Sequence, residues 1–421
     1  MLEDYFVKPG SVDRIRASWI GAEIEDYVGW LAANGYGCRC VWRRVPLLVA
    51  FGEFARQSGA RQLDDLPGHV DGFVAKRVSE SRDARRQEGR TYAKDIRGPV
   101  EQLLTLVIPG YQGSGRSRRP VPFAGAAPGF FGYLVSERGL RPASVESYRH
   151  HLDRFEDWLG RAGVAGLGEL SPELLSSFVA DRSGTGLAKT TVRGCCGVLR
   201  VFLRYAHREG LIGRALHKTV EWPQVYRLSS LPRSVSWEEV GKVLAVPDRR
   251  TPCGKRDYAI LLLLATYGLR AREIAAMTLD DIDWKRGRLA IPERKAGHST
   301  AFPLSAAAGQ ALADYLQHGR PQVTGRHVFF RAVAPLRPVG TAAISSCARK
   351  CLLEAGIEVP RPGSHTLRHS AVQRLVDDGF PLKTIGDFVG HRSAATTQIY
   401  AKIAVEPLRQ VALGDGEEAL S

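Results

Sequence analysis

Hydrophobic side chains recur every three or four residues along most of the chain, a spacing typical of amphipathic α-helices. The stretch SHTLRHSAVQRLVDDG at 364–379 shows the pattern clearly, with Ser364 as a predicted N-cap and Gly379 as a predicted C-terminal stop. On a helical wheel His365 and Arg368 fall in its apolar half. The other half holds the polar residues Ser370, Gln373, Arg374 and Asp377. Because an arginine is almost never buried without a partner, the pattern predicts that an anion meets Arg368.

A shorter, alternating pattern appears in RLAIPERKAGHSTAFPLS at 288–305 and predicts two strands around a turn. Before it, RDYAILLLLATYG at 256–268 predicts a buried helix that ends at its glycine, and LRAREIAAMTLDDIDW at 269–284 predicts a second helix. Further on, PLKTIGDFV at 381–389 predicts a helix that Gly390 ends. We therefore expect a mainly α protein with a small antiparallel β-sheet.

Two segments rich in Gly, Pro, Ser and Arg divide the chain, GSGRSRRPVP at 113–122 and PQVYRLSSLPRS at 223–234. Both are typical of linkers. After the second, Ser236 and Glu239 form a predicted capping box that opens a new helix. The predicted domains are a helical module at 1–112, a helical domain at 121–215, a linker at 216–235, a third domain at 236–413 and a tail at 414–421.

The first two helical segments resemble each other at an offset of about 104 residues. YVGWLAANGYG at 27–37 aligns with FFGYLVSERGL at 130–140, and FVAKR at 73–77 aligns with FVADR at 178–182. Identical residues recur in the pairs Gly59 and Gly163, Phe51 and Phe155, and Leu66 and Leu170. The pattern indicates a duplicated helical module. The alternative is that two unrelated helical bundles share their spacing.

The charge of the chain favours a polyanionic partner, since 59 basic residues against 44 acidic ones give a net charge of +15. A biased genome composition is the alternative explanation. The seven cysteines form no CxxC pair, which predicts free thiols in a reducing cytoplasm. With no apolar signal core at the start and no apolar run long enough to cross a bilayer, we expect a cytoplasmic protein without a membrane partner.

Two familiar chemistries are absent from the sequence. It contains no GxxxxGK phosphate loop and no HExxH or paired-carboxylate cluster. We therefore expect neither a metal nor another cofactor.

Basic and hydroxyl residues in the third domain lie at predicted helix ends and turns. The candidates are Arg270, Lys295, His365, Arg368, His391 and Tyr400. Each alone has an ordinary interpretation, such as a surface arginine, a turn lysine, a helix-capping histidine or a core tyrosine. Glu273 follows Arg270 by three residues, the spacing at which one helical turn brings two side chains together.

In order, these residues stand in TYGLRAREI, ERKAG, HTLRH, GHRS and TTQIYA, and the set resembles the tyrosine recombinase, or phage integrase, family. The shared features are Gly-Leu-Arg followed by Glu, a lysine in a hairpin, His-x-x-Arg, Gly-His-x-Ser and a tyrosine nine residues after that histidine. The resemblance covers 236–405 strongly and 121–215 more loosely. It implies helical DNA-binding modules followed by a mixed α+β catalytic domain, with 121–215 as a SAM-like core-binding domain and 1–112 as a second module of that kind.

The resemblance also implies a role for each candidate. Arg270 and Arg368 would bind the non-bridging oxygens of a DNA phosphodiester, and Tyr400 would attack it to form a 3′-phosphotyrosine. His365 would accept the phenolic proton, His391 would donate a hydrogen bond to the phosphate, and Lys295 would protonate the departing 5′ oxygen. Arg294 lies beside Lys295, so the register of that hairpin stays open.

The implied partner is double-stranded DNA, bound by a homotetramer on two recombination sites of a mobile element. Other recombinases of the same element are candidate partners. Two alternatives stay open from the sequence: a type IB topoisomerase-like enzyme that relaxes DNA, and a catalytically silent DNA-binding regulator on the same fold.

Overall fold

Helices dominate the computed structural model, which describes residues 1–80, 89–113, 120–224, 234–292 and 300–390. The chain divides into two units, one formed by Met1–Tyr111 with Ser230–Ser421 and the other by Gln112–Ser229. Within the described residues, no helix is both long and apolar enough to span a bilayer.

The N-terminal part of the first unit is helical. Its helices are α1 (Pro9–Arg16), α2 (Gly21–Ala33), α3 (Cys38–Gln57), α4 (Val70–Glu80) and α5 (Gly89–Val107), with 3₁₀ turns at Leu2–Asp4 and Leu63–His69. Apolar residues of α3, including Val41, Val45 and Leu48, repeat at helical spacing and are buried. They share one hydrophobic core with Val100 and Leu103 of α5.

The second unit has a separate core and a similar order of elements. It contains α6 (Phe130–Ser136), α7 (Pro142–Arg161), α8 (Pro172–Gly184) and α9 (Lys189–Arg208), with 3₁₀ turns at Leu167–Glu169 and Leu216–Lys218. The long helices α3 and α7 both have 20 residues, and a glycine with positive φ follows each one, Gly59 at +101° and Gly163 at +74°. After each glycine comes a 3₁₀ turn, a shorter helix and a second long helix.

The internal packing of the two helical segments also matches. The rings of Phe51 and Phe73 lie 5.3 Å apart between centroids, and those of Phe155 and Phe178 lie 4.8 Å apart. Both pairs join the long helix to the shorter helix that follows it. The aligned residues of the sequence repeat therefore occupy equivalent places in their own cores.

The C-terminal part of the first unit combines helices with one small sheet. Its elements are α10 (Trp237–Ala245), α11 (Pro252–Tyr267), α12 (Ala271–Ala276), β1 (Ile282–Asp283), β2 (Arg288–Ile291), β3 (Thr300–Pro303), α13 (Ala306–His318), α14 (Thr341–Glu354), α15 (Ser364–Asp377) and α16 (Leu382–Val389), with a 3₁₀ turn at Leu279–Asp281. The antiparallel sheet has the order β1-β2-β3, and its register aligns the buried residues Ile282, Leu289 and Phe302 across the strands. The predicted fold class and hairpin are confirmed.

Two parts of the first unit contact each other directly. The amide of Leu336 donates a hydrogen bond to the carbonyl of Asn34 at 3.1 Å. The side chain of Leu336 also lies against Gly35, where a Cβ atom would come within 2.4 Å of it. The N-terminal helices are thus held to the C-terminal part of the chain at this loop.

The single long helix predicted at 269–284 is wrong. Helix α12 stops at Ala276, and a 3₁₀ turn and strand β1 follow. The reason is local, because the carboxylate of Asp281 accepts hydrogen bonds from the backbone amide of Thr278 at 2.7 Å and from its hydroxyl at 2.9 Å. Threonine and aspartate compete in this way with helical hydrogen bonds.

Helix α15 also differs from its prediction at two points. Its N-cap is Gly363, and Ser364 is the first helical residue. Two residues assigned to its polar half, Ser370 and Gln373, are buried. The cause is that α10, α11, α14 and α16 all contact α15. The predicted stop is confirmed, since Gly379 has a φ of +78° and its amide donates to the carbonyl of Val376.

Candidate active site

Arg270 is fixed at the junction between two helices. Helix α11 ends at Gly268, which adopts a left-handed conformation, and Arg270 is the N-cap of α12. The carboxylate of Glu273 accepts a hydrogen bond from the Arg270 amide and another from Nη1, both at 2.8 Å. Nη2 of Arg270 donates to the carbonyl of Gly390 at 2.8 Å. The spacing of three residues therefore identified the partner of this arginine, and Glu273 itself is only 4% exposed.

Arg368 reaches the same junction from the first turns of α15. The residue is 4% exposed, as the wheel predicted. Its Nη1 donates to the carbonyl of Gly268, and its Nη2 donates to the carbonyl of Val389 at 2.7 Å. Both guanidinium groups thus bind the C-terminal end of α16, and that of Arg368 also binds the end of α11. These backbone acceptors are invisible in the sequence, because a carbonyl carries no residue-specific signal.

Gly268 packs closely against α15 and the end of α16, where little room is left for a side chain. A Cβ atom at this position would lie 3.3 Å from Cγ1 of Val389, 3.5 Å from Cβ of Ala371 and 3.8 Å from Cγ of Arg368. Its φ of +57° also disfavours any residue with a Cβ atom. Glycine is therefore required here for both backbone conformation and packing.

We expect Gly268→Ala to lower the thermal unfolding midpoint by several degrees. The left-handed conformation costs about 1–2 kcal/mol for a residue with a Cβ atom, and the contact with Val389 adds to that cost. Gly241→Ala is the matched control, because Gly241 lies within α10 with open space around it. That change should stabilise the protein by up to about 1 kcal/mol. Scanning calorimetry measures both variants, and a Gly268→Ala midpoint equal to wild type would contradict this account.

His365 lies one turn before Arg368 on α15, and unlike Arg368 it is exposed to solvent. Partial loss of water around the imidazole, together with the positive charges of Arg368 and Arg270, holds its pKa below the ordinary value. The lowered pKa favours the neutral form of the ring. A neutral imidazole is the form that can accept a proton.

Three of the six candidates lie outside the described residues: Lys295, His391 and Tyr400. The structure does define the elements that flank them. Strands β2 and β3 flank the segment that contains Lys295, and Gly390, with a φ of +64°, ends α16 directly before His391. The structure thus brings together Arg270, Arg368 and His365.

Comparison with known proteins defines the family. Residues 233–406 match the family model described as phage integrase family, and residues 128–210 match that of the phage integrase N-terminal SAM-like domain. The putative integrase/recombinase y4rA of Sinorhizobium fredii is 31% identical over 392 residues, covering 92% of each chain. The tyrosine recombinase XerD of Mycobacterium tuberculosis is 30% identical over 304 residues, covering 68% of this chain and 95% of XerD.

Solved structures give the same fold. A lambda integrase dimer bound to a COC′ core site superposes with a TM-score of 0.53 at 18% identity, covering 66% of this chain and 94% of the integrase. The XerH site-specific recombinase in its post-cleavage complex gives a TM-score of 0.53 at 19% identity, covering 65% and 80%. Sequence and fold together define the class as the tyrosine-type site-specific DNA recombinases. The chain belongs to the phage integrase family.

Proposed function

We propose that this recombinase cuts and rejoins duplex DNA through a 3′-phosphotyrosine formed by Tyr400, with Arg270 and Arg368 binding the scissile phosphate. The observation that carries the proposal is the convergence of the two guanidinium groups on the helix ends at Gly268, Val389 and Gly390. A phosphodiester placed there would meet two fixed positive charges.

The fixed arginines suit the charge that develops during phosphoryl transfer. A guanidinium has five N–H donors, and the side chain of Arg270 uses Nη1 for Glu273 and Nη2 for Gly390. Donors held in place before the reaction stabilise the non-bridging oxygens without reorganisation in the transition state. Glu273 acts here as a positioning residue, because it holds Arg270 and is buried away from any substrate.

The proposed reaction needs no cofactor that supplies energy, because each bond that breaks is replaced by one that forms. The Tyr400 oxygen attacks phosphorus, the bond from phosphorus to the 5′ oxygen breaks, His365 takes the phenolic proton and Lys295 gives a proton to the 5′ oxygen. His391 donates a hydrogen bond to a non-bridging oxygen. A 5′-hydroxyl from another strand then attacks the phosphotyrosine, so the original bond energy is kept in the covalent intermediate.

The proposal extends to domains, assembly and location. We assign 236–413 to the catalytic domain, 121–215 to the core-binding domain and 1–112 to a second module of similar construction. Lambda integrase has been solved as a tetramer bound to a Holliday junction, and we propose a tetramer on paired sites for this chain as well. All seven cysteines are free thiols, which suits a reducing cytoplasm.

A trapping experiment tests the function. The full chain is incubated with nicked duplexes that span its own genomic flanks, and SDS-stable adducts are sequenced and mapped by peptide mass spectrometry. We expect adducts at one defined sequence, linked through residue 400. Adducts scattered over unrelated sequences, together with relaxation of any supercoiled plasmid, would indicate a topoisomerase-like enzyme. DNA binding without any adduct would indicate a silent regulator.

A further inference from the structure

The N-terminal module, residues 1–111, contains a basic cleft of about 690 Å³. It lies between the first half of α3, the end of α4 and the first half of α5. Its cationic residues are Arg39, Arg43, Arg44, Arg77 and Lys94. Among the residues that line it, only Asp95 is acidic, so the cleft carries a concentrated positive charge.

Most of these cations are available to a ligand. Arg39, Arg43 and Lys94 are exposed, and none of them forms an ion pair with another described residue. Arg77 forms an ion pair with Glu80 at 3.9 Å. Arg39 and Arg43 are one helical turn apart and point along the same face of α3. Repulsion between such neighbours is relieved when an anion binds between them.

Arg44 has a different role, because its side chain joins the helices that line the cleft. Its Nη1 donates to the hydroxyl of Tyr27 at 2.8 Å and to Oε1 of Gln102 at 2.6 Å. Its guanidinium also lies over the ring of Tyr36, 4.7 Å from the centroid. These contacts connect α2, α3 and α5, so the exposed cations lie on helices that are held to one another.

The second helical segment is basic at the equivalent place. Arg77, at the end of α4, aligns with Arg182, at the end of α8. Arg182 and Arg154 lie near His151, whose pKa is lowered by burial and by these neighbouring positive charges. His151 in turn aligns with Leu47, which lines the N-terminal cleft. The same edge of both segments therefore carries positive charge.

We propose that the N-terminal module binds the sugar-phosphate backbone of duplex DNA in this cleft and does so without reading sequence. The inference rests on the proposed function, to which it adds a second DNA contact in the same chain. Guanidinium and ammonium groups suit phosphate oxygens, and contacts confined to phosphates carry no base information. Binding of this kind releases counterions and weakens steeply as salt rises.

Salt dependence tests the proposal in the full chain. The cleft variant is Arg39→Ala/Arg43→Ala/Lys94→Ala. The matched control, Arg14→Ala/Arg56→Ala/Arg61→Ala, removes three exposed cations elsewhere on the same module. Fluorescence anisotropy gives the affinity for a labelled random-sequence duplex over a range of KCl concentrations. In the cleft variant, the slope of log K against log salt should be smaller in magnitude by about 2–3. Its affinity near 0.1 M salt should fall at least about tenfold. The control should change affinity by less than about twofold.

The outcomes separate this inference from the proposed function. If the cleft variant keeps the slope and affinity of the control while the wild type forms adducts at its own sites, the cleft does not bind DNA and the inference fails alone. If the wild type forms no adduct at its own flanks, the proposed function fails, whatever the slopes. A melting temperature equal to wild type confirms that each variant is folded.

Discussion

Tyr400→Phe is expected to abolish the covalent protein–DNA adduct while DNA affinity stays within about twofold of wild type. The substitution removes one oxygen atom, the proposed nucleophile, and retains the aromatic ring. Neither arginine of the proposed phosphate site changes, so binding of the phosphodiester should be preserved. Adduct formation on a nicked duplex is followed by denaturing electrophoresis, and affinity is measured on the same duplex.

Tyr258→Phe provides the control for this experiment. Tyr258 lies on α11, where Arg249 packs over its ring at 4.4 Å from the centroid, a contact that phenylalanine preserves. This variant should form adducts at the wild-type rate. Adduct formation by Tyr400→Phe at a comparable rate would remove Tyr400 from its proposed role.

Arg270→Lys is expected to slow adduct formation by about 10²–10³-fold. Lysine keeps the charge but has a single nitrogen, and it cannot contact Glu273, the carbonyl of Gly390 and a phosphate with the fixed geometry of a guanidinium. Because the substitution keeps the positive charge and changes no other residue, affinity should fall much less than the rate. Single-turnover cleavage at saturating protein measures the rate alone.

Arg288→Lys is the control that tests whether replacing an arginine by lysine elsewhere in the catalytic domain slows adduct formation. Arg288 is exposed on β2 and forms no ion pair with another described residue. Its replacement should leave the rate unchanged. A wild-type rate for Arg270→Lys would show that Arg270 does not stabilise the transition state.

The sequence predicted those elements whose ends are fixed by single residues. Gly268 and Gly390 adopt positive φ directly after a helix and Gly379 does so two residues after one, and this conformation is a local property of glycine. The hairpin was predictable because apolar and polar residues alternate along its strands, which places the apolar ones on one buried face. The end of α12 was missed, because hydrogen bonds between Thr278 and Asp281 decide it over only four residues.

Contacts between elements that are distant in the chain were harder to predict from the sequence. The wheel identified the buried Arg368 but placed Ser370 on the polar side, although the hydroxyl of Ser370 accepts a hydrogen bond from the buried amide of Val235 at 2.8 Å. That contact joins residues 135 positions apart, so no local pattern could report it. The order of motifs identified the family, while the carbonyls that bind the arginines required the structure. The roles of all six candidate residues stay predictions, and Lys295, His391 and Tyr400 lie outside the described residues.

The hydrogen bonds at the end of α16 have a mechanical consequence. The carbonyls of two consecutive residues, Val389 and Gly390, accept hydrogen bonds from Arg368 and Arg270. A shift of the backbone at Val389 and Gly390 would therefore move the acceptors of both guanidinium groups together, because the two carbonyls belong to adjacent peptide units. The positions of the two positive charges are therefore coupled through this one helix end.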